Sequence, residues 1–189
     1  MNFDRLFDSQ QPTVIIAEIG NNHNGSLKRA LELIDRAKDC GVDCVKFQIR
    51  NKFALYRSKT LEKEGDDLGS EYVVDLLQRF ELTPDEHRTI YDYTKTVDIG
   101  YMCTPWDQPS MDLLAKFGVQ AVKIASADMI NLPLLTYIAN FKLPMILSTG
   151  MSSEAEIKTT VEHMNALKSD YVLLHCNSTY PAPFEDINL

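Results

Sequence analysis

Apolar positions along this chain follow two alternating rhythms. Short, nearly continuous apolar runs occur at 13–19, 43–49, 98–104, 119–126, 144–149 and 171–176. Such runs predict strands covered on both faces, as in a parallel sheet. Helical spacing fills the intervals. Leu27, Ala30, Leu31, Ile34 and Ala37 form one apolar stripe that ends near Gly41. Thr83-Pro84-Asp85-Glu86 predicts a helix start, with Thr as N-cap, Pro in the first turn and Glu closing a capping box. Ser153 and Glu156 form a second box, opening a helix through about Leu167. Shorter helices are predicted at 109–117 and 132–139. Within the long 51–82 interval, 72–80 predicts a helix and 63–67 an exposed loop. That insertion reads equally as a functional loop or a tolerated one.

Repeated β-α units predict an α/β fold, either a (β/α)8 TIM-barrel type or a doubly wound sheet. No Gly-x-Gly-x-x-Gly or Walker pattern follows a strand, which lowers the nucleotide-binding reading. A whole barrel takes roughly 250 residues. The 189 residues here hold about six of eight units and stop where a sixth helix would begin.

Composition changes this picture little, and charge narrows it. Apolar content of 44% and charged content of 24% suit an ordinary globular domain. The net charge of −8 disfavours nonspecific binding to nucleic acid or anionic membranes but leaves room for a local basic pocket. No run approaches the roughly 20 apolar residues of a membrane span. The N-terminus lacks the apolar core of a signal peptide. The four cysteines are dispersed, three of them in strand-like runs, which predicts buried free thiols in a reducing cytoplasm.

The candidate chemistry collects at strand ends. In order these carry Glu18, then Lys46 and Gln48, then Thr104, then Lys123, Ser126 and Asp128, then Ser148 and Thr149, and finally His175, Asn177, Ser178 and Tyr180. In α/β folds, ligands bind at that end of the strands. Alternation puts Lys46 and Gln48 on one face of their strand. Lys123 sits in an apolar run, where an ammonium is costly unless it meets an anion. Two such lysines among hydroxyls suit a phosphate or carboxylate, and Glu18 and Asp128 suit proton transfer or hydroxyl orientation. Each has a plainer reading: a lysine that snorkels or pairs with a structural carboxylate, a glutamate that caps a helix or joins an ion pair. Asn21, Asn22, Asn24 and Gly25 suit turn chemistry, and His23 reads as a loop residue bonded to backbone. His87 and His163 read as surface groups on helices. No histidine has a second ligand at metal spacing.

The ordered segments Ala17-Glu18-Ile19-Gly20-Asn21-Asn22-His23-Asn24-Gly25, Val45-Lys46-Phe47-Gln48, Cys103-Thr104-Pro105, Val122-Lys123-Ile124-Ala125-Ser126-Ala127-Asp128, Leu147-Ser148-Thr149-Gly150-Met151 and Leu174-His175-Cys176-Asn177-Ser178-Thr179-Tyr180-Pro181 resemble the sialic acid synthase family. That family comprises N-acetylneuraminate synthase and its legionaminate and pseudaminate relatives. The resemblance covers about Thr13 to Pro183. It implies a (β/α)8 barrel that condenses phosphoenolpyruvate with an N-acetylated amino sugar to give a nonulosonic acid and phosphate. By position, Lys46, Thr104, Lys123, Ser126 and Ser178 would hold phosphoenolpyruvate, Gln48 and Tyr180 the sugar, and Glu18 and Asp128 the reacting centre.

Three departures come with it. The family often has Glu where Asp128 stands, one methylene longer. Its two metal-binding histidines usually follow the sixth strand, so a divalent metal, Mn2+ or Mg2+, is expected for the complete enzyme with ligands outside this chain. The C-terminal antifreeze-like domain is likewise expected outside it. The resemblance implies a cytoplasmic homo-oligomer, or pairing with a chain that completes the barrel, with no nucleic acid or membrane partner. The rival readings are a non-catalytic split subunit and another phosphoenolpyruvate aldol synthase. A phosphorylated acceptor would call for an Arg cluster that the sequence does not display.

Overall fold

The computed structural model of the chain describes residues 3–8, 10–55, 79–179 and 181–188. Of the helix expected over 72–80, only the last two residues lie among these, and they are helical. The 63–67 loop and Tyr180 lie outside the described residues.

Six strands form one parallel sheet: β1 (Ile16–Gly20), β2 (Cys44–Ile49), β3 (Gly100–Pro105), β4 (Val122–Ile124), β5 (Met145–Ser148) and β6 (Tyr171–Leu174). They neighbour one another in sequence order, β1-β2-β3-β4-β5-β6. A doubly wound sheet reverses its strand order partway, so this order is that of barrel winding. The described helices are α1 (Leu27–Asp39), α2 (Lys52–Leu55), α3 (Pro84–Thr96), α4 (Gln108–Phe117), α5 (Leu132–Ala139) and α6 (Glu154–Ala166).

Both capping boxes form. Thr83 Oγ1 accepts from Glu86 N at 3.2 Å and Glu86 Oε2 accepts from Thr83 N at 2.8 Å. Ser153 and Glu156 repeat the pattern at 3.4 and 2.7 Å. These bonds satisfy amides that a helix start otherwise leaves open. Gly118, at φ +81°, ends α4 in the left-handed conformation that favours glycine.

Two apolar clusters divide the sheet's faces. The larger lies between sheet and helices and includes Ile34, Phe47, Ile90, Met111, Leu114, Leu135 and Met164. The smaller lies on the other face, where Cys44, Met102, Ala121 and Ile146 pack with Phe3, Leu6, Ile16 and Val172. Phe3 arrives on a short 3-10 segment, Phe3–Phe7, tied down by an Arg5–Asp43 ion pair at 3.0 Å. The inner face is therefore apolar toward the strand starts. Alternation carries the same face on to Lys46, Thr104, Lys123 and Ser148 at the strand ends.

Several expectations needed correction. The run 119–126 forms only a three-residue strand, and Ser126–Asp128 turns into a 3-10 helix. His175 to Ser178 follow β6 as loop. Cys44 and Cys103 are buried, but Cys176 is half-buried and Cys40 exposed. His87 is not a surface group: it is 2% exposed. It heads the stripe His87, Ile90, Tyr91 and Thr94 that α3 turns inward. His163 is half-buried, its Nε2 2.8 Å from Thr136 Oγ1. Among the described residues no helix is long and apolar enough to cross a membrane.

Candidate active site

The sheet register gathers the strand-end groups. Glu18 on β1 lies opposite Lys46 on β2, and Gln48 opposite Thr104 on β3. Lys46 Nζ sits 2.9 Å from Glu18 Oε2 and donates to Thr104 Oγ1 at 3.5 Å. The pair is lopsided, because the Lys46 side chain is 6% exposed and that of Glu18 is 58%. The carboxylate keeps much of its hydration while the ammonium has lost nearly all of its own.

Lys123 on β4 is also buried. It donates to the Ile124 carbonyl at 3.0 Å and to Ser148 Oγ on β5. Burial pushes its ammonium down to about 8, and the nearby Lys46 charge adds to the effect. Of these two desolvated cations only Lys46 is ion-paired, to the exposed Glu18, while Lys123 has neutral partners, a charge balance that an entering anion would correct.

The neutral donors lie beside them. Ser126 Oγ accepts from Gly150 N at 3.1 Å, and the Ser178 hydroxyl also lies against Gly150. Thr149 Oγ1 donates to the Leu174 carbonyl at 2.8 Å, tying the end of β5 to the end of β6. Gln48 forms the rim: its Oε1 accepts from Arg50 Nη2 at 2.9 Å, and the guanidinium lies 4.9 Å from the Trp106 ring centroid.

Asp128 is placed differently. It is buried in the turn after β4, where Oδ1 accepts from Asn131 Nδ2 at 3.0 Å. Asn131 also caps α5, accepting from Leu134 N at 3.3 Å. Oδ2 has no hydrogen-bond partner among the described residues. Burial raises this carboxyl above the ordinary range, with the Asn131 bond opposing. No hydrogen bond or ion pair among the described residues joins Asp128 to Glu18 or to either lysine. Tyr180 lies outside the described residues.

His23 is buried in the β1–α1 loop, as a loop residue bonded to backbone: its Nδ1 accepts from Gly25 N at 3.1 Å and its ring stacks on Phe47. Among the described residues no group of three His, Cys, Asp or Glu side chains converges as metal ligands would. The contacts of Gly150 and Arg50 escaped the sequence reading. Arg50 left one signal, standing two positions beyond Gln48. Gly150 left its place after an apolar strand, within the Leu147–Met151 segment of the resemblance.

Known proteins are similar to this chain in sequence and in fold. The model of the NeuB family matches residues 33–189. The N,N'-diacetyllegionaminic acid synthase of Legionella pneumophila is 37% identical over 192 residues, covering 96% of this chain and 53% of the relative. The human N-acetylneuraminate-9-phosphate synthase is 33% identical over 188 residues, covering 98% of this chain and 52% of the relative. The crystal structure of an N-acetylneuraminic acid synthetase from Leptospira borgpetersenii, in complex with citrate, superposes with a TM-score of 0.82 at 36% identity. That match covers 94% of this chain and 59% of that one. The chain spans about half the length of the curated relatives it matches. With six strands wound in barrel order and a family match running through most of its length, the chain belongs to the NeuB family.

Proposed function

We propose that this chain carries the phosphoenolpyruvate-binding part of an enzyme that joins phosphoenolpyruvate to an N-acetylated amino sugar, giving a nonulosonic acid and inorganic phosphate. The observation that carries the reading is the buried pair Lys46 and Lys123, set among Thr104, Ser148, Ser126 and Ser178 at adjacent strand ends. Two ammonium groups answer the phosphate and carboxylate of one small anion, and the hydroxyls supply directed bonds. Family membership and the names of the relatives support the same chemistry.

In this reading the enol carbon of phosphoenolpyruvate attacks the open-chain aldehyde carbon of the sugar, forming the new C–C bond. Water adds at the adjacent carbon, and phosphate leaves with cleavage of its C–O bond. Lys46 and Lys123 offset the substrate's negative charge throughout. Glu18, exposed beside Lys46, accepts a proton from water or orients a sugar hydroxyl. Gln48 on the rim meets the acceptor, together with Tyr180. Asp128, raised by burial, holds a proton at neutral pH more readily than a free carboxyl. A divalent metal, Mn2+ or Mg2+, would be held by ligands other than the described residues and would polarise the sugar's carbonyl. Four free cysteines support a reducing, cytoplasmic setting.

The test is phosphate release from phosphoenolpyruvate by the purified protein across N-acetylated hexosamines and their 6-phosphates, with and without Mn2+. Release with one acceptor, abolished in Lys46→Met, is expected. No binding of phosphoenolpyruvate at millimolar concentration would overturn the reading. A second reading, a non-catalytic subunit that pairs with another chain, is favoured by the sheet margins. Leu173 and Leu174 of β6 are 40% and 37% exposed, and Ile15 beside β1 is 56% exposed. Strand edges of this kind are normally covered or paired. A monodisperse monomer in size-exclusion chromatography would exclude it.

A further inference from the structure

Gly150 follows β5 by two residues and is buried. Among the described residues the glycines with positive φ are Gly20, Gly25, Gly41 and Gly118, so backbone conformation does not require glycine at 150. Space does. A Cβ built on Gly150 would lie 2.6 Å from Ser178 Oγ and 2.8 Å from Ser126 Oγ, closer than real Cβ contacts, and 3.4 Å from Ser126 Cβ. The missing side chain is what lets hydroxyls from the segments after β4 and β6 close over the chain after β5.

The Gly150 amide then sets the polarity of one hydroxyl. Its N–H donates to Ser126 Oγ at 3.1 Å. A hydroxyl has one proton to give and two lone pairs to receive. With a lone pair occupied, the Ser126 proton is turned to another acceptor. Among the described residues neither Ser126 nor Ser178 donates its hydroxyl to a protein group. Two residues before Gly150, Ser148 holds the Lys123 ammonium. The donors of three consecutive strand ends therefore lie side by side.

We propose that Gly150 is a positioning residue for phosphoenolpyruvate: its bare Cα and its N–H hold Ser126 and Ser178 as paired hydroxyl donors to one oxyanion group of that substrate. The inference rests on the phosphoenolpyruvate reading of the two lysines and adds how the neutral half of that site is built.

The test is a mutant cycle on the whole chain, with phosphoenolpyruvate affinity measured by calorimetry and stability by urea unfolding. Gly150→Ala should weaken phosphoenolpyruvate binding at least tenfold and lower the urea midpoint. In a Ser126→Ala, Ser178→Ala background, where the colliding oxygens are gone, the same change should cost little further affinity or stability. If Gly150→Ala alone does not fold, the triple variant should fold, and a triple variant that stays unfolded overturns the inference. Affinity within twofold of wild type in Gly150→Ala, or an equal loss in both backgrounds, also overturns it. Wild-type protein that binds no phosphoenolpyruvate removes the underlying functional reading instead, and this inference with it.

Discussion

Replacing Lys123 by Met should make the unliganded protein more stable at neutral pH and unable to hold phosphoenolpyruvate. The perturbation keeps most of the aliphatic stem and removes the charge. Holding the ammonium at about 8 instead of 10.5 costs roughly 3 kcal/mol. Against this, Ser148 Oγ and the Ile124 carbonyl lose their donor, at about 1 kcal/mol each. The net expected gain at pH 7 is about 1 kcal/mol. The sign of its pH dependence follows from linkage. Folded Lys123 releases its proton near pH 8 and the unfolded side chain near 10.5, so the unfolded state binds more protons between them. Wild-type stability therefore rises relative to the variant across that window, and the advantage of Lys123→Met is gone by pH 10. Urea unfolding of both proteins at pH 7 and pH 10 reads the difference directly, because the other titrating groups are common to both. In the same assay, phosphoenolpyruvate at 100 times its Kd should stabilise wild type by about 2.7 kcal/mol and leave the variant unmoved. A variant that is less stable than wild type by the same amount at both pH values would refute the reasoning. Lys123 would then be a structural donor whose charge is already compensated.

Lys46→Met removes a charged donor of the same site and should weaken phosphoenolpyruvate binding by about 10- to 150-fold, the equivalent of 1.5–3 kcal/mol, read by calorimetry. His87 is held neutral by burial, with its imidazole pushed down to about 4 and nearby His23 reinforcing this. Its contribution is complete above pH 6.5 and is lost as pH falls toward 4, so His87→Leu should flatten the acid limb of a urea-stability profile by up to roughly 3 kcal/mol. An unchanged slope would show that His87 does not carry that limb. Thr83→Ala removes the capping box of α3 and should cost about 1 kcal/mol in the same measurement.

The elements were legible because their signals are local. Continuous apolar runs marked all six strands, and two Ser/Thr-to-Glu spacings marked α3 and α6 to within about a residue. Lys46 and Lys123 stood out because charge in an apolar run needs a partner. Pairwise geometry was less accessible. Nothing local says that Asp128 turns toward Asn131 at the start of α5, because the strand it was expected to end breaks off at Ile124. His87 was misplaced because a polar residue on an inward stripe looks the same in sequence as one at the boundary. The Gly150 contacts depend on two segments 24 and 28 residues away (150 − 126 and 178 − 150), distances over which no periodicity speaks.

The small cluster around Phe3 covers the lysines on the strand-start side. Phe3, Leu6, Cys44, Met102, Ala121 and Ile146 lie just behind the charged layer, on the strand-start side. They act as a floor that covers the charged layer on that side. Part of the cover beneath Lys123 thus comes from a segment that precedes β1 in sequence and is anchored by Arg5 on Asp43. Releasing that anchor would let the solvent in from below and return Lys123 toward an ordinary lysine, altering the site without touching any group that faces the substrate.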